Sequence, residues 1–227
     1  MSTLKEFEQN AIKMSHWSFF GCYMQQTPNA ALSLNRLLNA YNFDTIIELG
    51  THDGGLSSLF ALYCYGSQNM AYSNVPNEPS LYKNNTHNKK PKKFYTFDYV
   101  SRDIPRINFL KSIGTEFKEI DFLNNEENIK YIQDIIKNGG ATLVLCDGGN
   151  KPKEFSLFSP SLKQGDVIMA HDWAFDKNAF SEIQKRGIWY GLETEWEQIK
   201  ESCFKNNIKQ ICADEFDDSV WFCGLKQ

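Results

Sequence analysis

The chain has no Cys-x-x-Cys pair and no apolar run near the ~18 residues of a membrane span. "MSTLKEFEQN" at its start lacks the charged-then-apolar pattern of a secretory leader. The six cysteines (Cys22, Cys64, Cys146, Cys203, Cys212 and Cys223) sit mostly in apolar runs. They read as reduced core residues of a cytoplasmic protein, not as a disulfide framework. Charge of one sign is scarce too, with 24 Lys and Arg against 28 Asp and Glu and a net charge of −4. That balance argues against a broad phosphate-binding surface, so a nucleic-acid partner is not expected. No internal repeat is visible. What remains is a chain of 227 residues, 41% hydrophobic, with 17 Phe and 10 Tyr. It is long enough to bury a sizeable core as one domain spanning 1–227.

Strand and helix patterns alternate along most of it. Leu4 to Lys13 reads as a helix, and "SHWSFFGCYMQQTP" as an irregular aromatic stretch. After Pro28 a helix follows, with apolar residues at helical spacing: Leu32, Leu34, Leu37 and Leu38. Residues 1–40 are thus expected to form a helical or lid segment. Strands are expected at Thr45–Leu49, in "KFYTFDYV" ending at Asp98, in "EFKEIDFL" ending near Asp121, in "ATLVLCDGG" ending at Asp147 and in "DVIMAHDW" ending at His171–Asp172. Between them, "ENIKYIQDIIKNGG" is an amphipathic helix stopped by glycines. "IKQICADEF" and "SVWFCGLKQ", separated by "DD", read as a terminal antiparallel hairpin. Residues 66–93, rich in Asn, Lys, Pro and Ser, interrupt the alternation as an inserted loop or flap. The pattern predicts an α/β fold: a Rossmann-like, doubly wound sheet of about seven strands, mostly parallel, closed by that hairpin. Such a sheet collects its strand C-termini on one edge, where ligands bind. Glu48–Gly50, Asp98, Asp121, Asp147 and Asp172 all fall on that edge.

"DTIIELGTHDGGLSSLFAL" is a strand, a glycine-rich bend and a helix start. Gly50, Gly54 and Gly55 permit a sharp turn and close approach of a ligand to the main chain. The spacing is not G-x-G-x-x-G and no Walker lysine follows. An acid just before the bend, Glu48, suits an amino group better than a phosphate. The same glycines serve equally well as a tight structural turn. Asp98, ending its strand, can accept both hydroxyls of a ribose. Asp121 offers an acceptor for an exocyclic amine, and Phe122 an apolar wall.

Glu48-Leu-Gly50-Thr51-His-Asp-Gly54-Gly55, then Asp98, Asp121-Phe122 and Asp147, resemble the successive motifs of class I S-adenosylmethionine-dependent methyltransferases. The likeness runs from about residue 25 to 226. It implies that Gly50 to Gly55, Thr51 included, line the methionine part of S-adenosylmethionine, that Asp98 holds the ribose, and that Asp121 and Phe122 flank adenine. It also implies an N-terminal glutamine, Gln26, near the cofactor. The 66–93 insert is a departure, since the connection there is usually shorter.

Asp147 and the pair His171–Asp172 end neighbouring strands. Converging, they could bind Mg²⁺ or Mn²⁺, or simply hydrogen-bond to loop N–H groups. This resembles metal-dependent small-molecule O-methyltransferases, including the macrocin O-methyltransferase and cephalosporin-hydroxylase-like groups. The implied reaction is methyl transfer to a hydroxyl of a small molecule or saccharide, with Lys151 or His171 taking the proton. A two-fold homodimer is the expected assembly. The alternatives are a nucleic-acid or protein methyltransferase on the same fold, a nicotinamide-dependent oxidoreductase, and a non-catalytic binding domain. "DGGN" stands where the first alternative needs Asn/Asp-Pro-Pro-aromatic, and no Tyr-x-x-x-Lys pair supports the second.

Overall fold

The computed structural model describes residues 18–19, 22–69 and 92–227. The expected helix at Leu4–Lys13 and most of the aromatic stretch and of the 66–93 insert lie outside them. A short ladder pairs β1 (Ser18–Phe19) with β2 (Cys22–Tyr23). Then come α1 (Pro28–Ala40), β3 (Thr45–Leu49), α2 (Gly55–Asn69), β4 (Lys93–Asp98), α3 (Ile104–Ser112) and β5 (Glu116–Glu119). The second half runs α4 (Glu126–Asn138), β6 (Thr142–Cys146), α5 (Lys151–Phe158), β7 (Val167–Ala170), β8 (Trp173–Ala174), α6 (Lys177–Lys185), β9 (Thr194–Glu195) and α7 (Trp196–Lys205). It closes with β10 (Ile208–Gln210), the short α8 (Ala213–Phe216) and β11 (Phe222–Lys226).

The seven-stranded sheet has the order β10-β11-β7-β6-β3-β4-β5. The pairs β3–β4, β3–β6, β4–β5 and β6–β7 are parallel, while β11 is antiparallel to both β7 and β10. The chain winds outward from β3 to β5, then returns to β6 on the other side of β3. The crevice beyond the C-termini of β3 and β6 is therefore the topological switch point, where a sheet of this kind leaves room for a ligand.

Period-two alternation assigns side chains to two cores. Ile46, Leu143, Leu145, Val167 and Met169 face α1, α2 and α3, where they meet Leu34, Phe60 and Leu110. Ile47, Leu49, Val144, Cys146 and Ile168 face the other way, onto Ile132 and Ile136 of α4, Phe155 and Phe158 of α5 and Ile199 of α7. The helices follow local rules. Asn125 caps α4 by accepting from Asn128 N–H, Glu126 and Glu127 lie in its first turn, and Lys137 lies in its last. That arrangement matches the helix dipole. Pro28 occupies the first turn of α1, where no N–H is needed.

Three expectations change. The third-strand segment ends at Glu119, short of Asp121, because Asp121 closes a turn on Leu123 and Asn124 N–H groups. The terminal strands pair antiparallel as expected, but their connection is longer than "DD": α8 and a 3₁₀ turn at Asp217–Ser219 intervene, burying Phe216. Both ends of the expected 66–93 insert fall in regular elements, since α2 continues to Asn69 and β4 begins at Lys93. Of the cysteines, Cys64, Cys146, Cys203 and Cys223 are buried free thiols and Cys212 is exposed. Among the described residues no helix is long and apolar enough to cross a membrane.

Gly50 has φ +99°, and a Cβ there would sit 2.3 Å from the carbonyl oxygen of Asp147. Gly114 has φ +92° with open space around it. Gly114→Ala is expected to cost about 1–3 kcal/mol from backbone strain alone. Gly50→Ala adds the collision of β3's end with β6's, so its denaturation midpoint should fall well below that of Gly114→Ala in urea melts.

Candidate functional site

A cleft of about 300 Å³ opens at the switch point. Gln26, Glu48, Gly50, Thr51, Gly55, Asp98, Phe122, Asp147, Lys151, His171 and Asp172 all line it. Of the residues singled out from sequence, Gly54 and Asp121 do not. Gly54 has φ +79°, and a Cβ there would meet the Arg106 side chain at 2.9 Å. The Asp121 carboxylate is turned into its own loop, where the N–H groups of Leu123 and Asn124 lower its pKa.

Glu48 is the acid of β3. It projects from the same face as Ile46, so it is 1% exposed. Its Oε2 accepts from Ser57 and Thr96 hydroxyls, the latter at 2.6 Å. Thr96 is the register partner of Glu48 on β4, and its hydroxyl is 2.6 Å from that of Thr51. Oε1 of Glu48 is buried with no partner among the described residues. Burial pushes the carboxyl up to about 8; the two hydroxyls pull the other way, and Asp147 and Asp98 add to the rise.

Asp98 fixes the glycine bend. Its Oδ2 accepts from His52 N–H and its Oδ1 from Tyr99 N–H, both at 2.7 Å. His52 itself has φ +49°, a left-handed turn that this bond holds. Tyr99 stacks on Phe122 with ring centroids 5.0 Å apart, and both line the cleft. The loop after β6 is clamped from below: Glu154 of α5 accepts from Gly148 and Asn150 N–H groups.

The deepest cluster surrounds Asp147. Its Oδ2 accepts from the Gln26 amide at 2.8 Å, and its Oδ1 lies 2.9 Å from His171 Nδ1. Trp221 donates to the other end of the Gln26 amide at 2.8 Å. Asp172, in a left-handed conformation with φ +53°, receives the Trp189 indole N–H at 2.6 Å on Oδ1. Its Oδ2 meets Lys151 Nζ at 2.7 Å, and Lys151 also reaches Glu193 at 2.8 Å. Burial acts to lower the Lys151 pKa, but Asp147 and Asp172 outweigh it and the net shift is upward. The same opposition, burial against Asp147 and Asp172, leaves His171 raised. His171 Nε2 is buried without a partner among the described residues.

The expected metal site on Asp147, His171 and Asp172 is not formed as a ligand set. Among the described residues, no three His, Cys, Asp or Glu side chains are grouped to hold a metal ion. The three residues do converge, but every carboxylate oxygen faces a protein donor, and a lysine ammonium stands among them. A divalent ion needs those oxygens and repels that ammonium. The donor set therefore does not fit the ion.

Sequence reading missed Ser57, Thr96, Tyr99, Trp189, Glu193 and Trp221. Ser57 and Thr96 did carry a signal, as polar residues inside an apolar helix and an apolar strand. Trp189, Glu193 and Trp221 carried none, because only the tertiary fold brings them to Asp172, Lys151 and Gln26.

No protein-family model matches the chain, and no curated protein matches it. Solved structures do. An apo structure of CmcI superposes with TM-score 0.58 at 11% identity, over 93% of this chain and 76% of that one. A second CmcI structure, with Mg and SAM, gives TM-score 0.55 at 13% identity over 92% and 76%. A protein of Staphylococcus aureus assigned as a caffeoyl-CoA O-methyltransferase covers all of this chain and 93% of its own, with TM-score 0.50 at 11% identity. The chain thus has the Rossmann-like fold of S-adenosylmethionine-dependent methyltransferases, and structures it resembles include an O-methyltransferase.

The raised Glu48 carboxyl has a measurable consequence. The unfolded group titrates near 4.5 and the folded one near 8. Its contribution to stability is full below the unfolded value and is lost as pH rises through the folded one. Denaturation measured from pH 4.5 to 9 should show the Glu48→Gln variant losing less stability than the parent across that window, by roughly 4 kcal/mol at most.

Proposed function

We propose that this protein transfers a methyl group from S-adenosylmethionine to a hydroxyl of a small molecule or saccharide. One observation carries the reading: the buried Oε1 of Glu48 in the cleft, which has no partner among the described residues, beside Asp98 at the switch point of a methyltransferase fold. A buried carboxylate oxygen without a donor is costly, and a ligand ammonium satisfies it. Glu48 would hold the amino group of the cofactor, Asp98 the ribose hydroxyls, and the stacked Tyr99–Phe122 pair would wall the adenine. Gly50 and Gly55 keep that end of the cleft free of side chains. Bound there, S-adenosylmethionine would supply a sulfonium-activated methyl group for an acceptor oxygen.

The remaining work belongs to side chains of the Asp147 cluster. Asp147 holds His171 by Nδ1, which leaves Nε2 to take the acceptor's proton. The two carboxylates beside it strengthen the imidazole as a proton acceptor. Trp189 and Trp221, with ring centroids 5.1 and 4.6 Å from His171, fix its plane and exclude water from it. The weakly acidic chain speaks against a nucleic-acid substrate.

Calorimetry with S-adenosylhomocysteine and with NAD is the test. The first should bind and the second should not; NAD binding in its place would sink the reading. Asp98→Asn should weaken S-adenosylhomocysteine at least about tenfold, equivalent to ~1.4 kcal/mol. Because Glu48 is largely protonated at pH 7 when the cleft is empty, binding should release close to one proton, read from the buffer dependence of the heat, and Glu48→Gln should abolish that release.

A further inference from the structure

We propose that Lys151 is a built-in cation occupying the position where a divalent ion would sit, so that this chain needs no metal to hold its acceptor. The inference rests on the methyl-transfer reading and specifies how the acceptor oxygen is bound. It departs from the CmcI structure that is described with Mg.

The argument is one of donor accounting. Asp147 and Asp172 end neighbouring parallel strands, and together they are what a hard divalent ion would bridge. Here Asp147 is taken by Gln26 on one oxygen and by His171 on the other. Asp172 is taken by Trp189 on one oxygen and by Lys151 on the other. The Lys151 side chain is only 8% exposed, so its charge acts in a site with little water to screen it. It is also anchored twice. As the first residue of α5 it follows the Asn150 cap, and its ammonium is braced by Glu193 from the segment leading into β9. A cation held this firmly opposes entry of a second one.

The ammonium also supplies what the ion would have supplied. It has three N–H donors. Asp172 and Glu193 take two, and the third has no partner among the described residues, although Lys151 lines the cleft. That donor would accept no electrons but would hydrogen-bond the acceptor oxygen and stabilise the negative charge developing on it as its proton goes to His171. Lys151 is then an acceptor-orienting residue, and its positive charge excludes it from the role of base.

Titration of the full-length protein with Mn²⁺ alone, followed by electron paramagnetic resonance, tests this. The parent protein should leave the free-ion signal undiminished up to about 1 mM, the weak limit of a built site. Lys151→Ala should bind Mn²⁺ at least about tenfold more tightly, once the repelling charge is gone. Adding Asp172→Asn to that variant should remove the gain. Lys151→Arg, which keeps the charge, should behave as the parent and serves if the alanine variant does not fold. Parent protein that binds Mn²⁺ and loses it in Asp172→Asn would overturn the proposal, as would a folded Lys151→Ala variant that gains no affinity. Calorimetry with S-adenosylhomocysteine on the same preparations separates the two ideas: its failure strikes the methyl-transfer reading and leaves the Mn²⁺ result standing.

Discussion

The site depends on the position of one carboxylate. Asp147 leaves the end of β6 and is gripped from both sides, by the amide of Gln26 and the imidazole of His171. Those three residues come from the segment before α1, the loop after β6 and the loop after β7. None of them is near another in the chain. Buried polar groups are tolerated only when paired, so each of these contacts constrains the others. Gly50 adds a steric constraint, because β3 can end against Asp147 only if it has no side chain there.

This explains how the cleft divides its labour. One wall is backbone turned tightly by glycines and fixed by Asp98. The other is a charge cluster in which two carboxylates meet an ammonium and an imidazole. Among the described residues Glu48 Oε1 and His171 Nε2 are buried without partners, and Lys151 makes two of its three possible bonds, to Asp172 and Glu193. A pocket with an unsatisfied acceptor and an unsatisfied donor suits a ligand that carries both a cation and an oxygen nucleophile.

Much of the fold was legible because local signals agreed with one another. Buried strands alternate between two cores, α4 carries its cap, its dipole charges and a glycine stop, and the strand-end acids share an edge. The site was legible wherever it followed from strand order, which is why Glu48, Asp98, Asp147 and His171–Asp172 meet in one cleft. Asp121 misled, because an acid two residues past a strand closes its own loop as readily as it reaches a ligand. The metal reading treated Asp147, His171 and Asp172 as free ligands. Which donors approach a carboxylate is decided by side-chain contacts over 17 to 121 residues of separation, such as Trp189 to Asp172 and Gln26 to Asp147, and a linear reading does not contain them.

β11 is wedged between β7 and β10 and runs against both. The strand that forms earlier in synthesis, β10, therefore has no neighbour on the sheet until residues 222–226 arrive. Trp221, immediately before them, is also what pins Gln26 and through it Asp147. A nascent chain that has already built α1 to α7 and the central strands would still present an unfinished pocket. The Gln26–Asp147 contact is braced only once Trp221 has been made, and until β11 pairs with it that side of β7 is an open sheet edge.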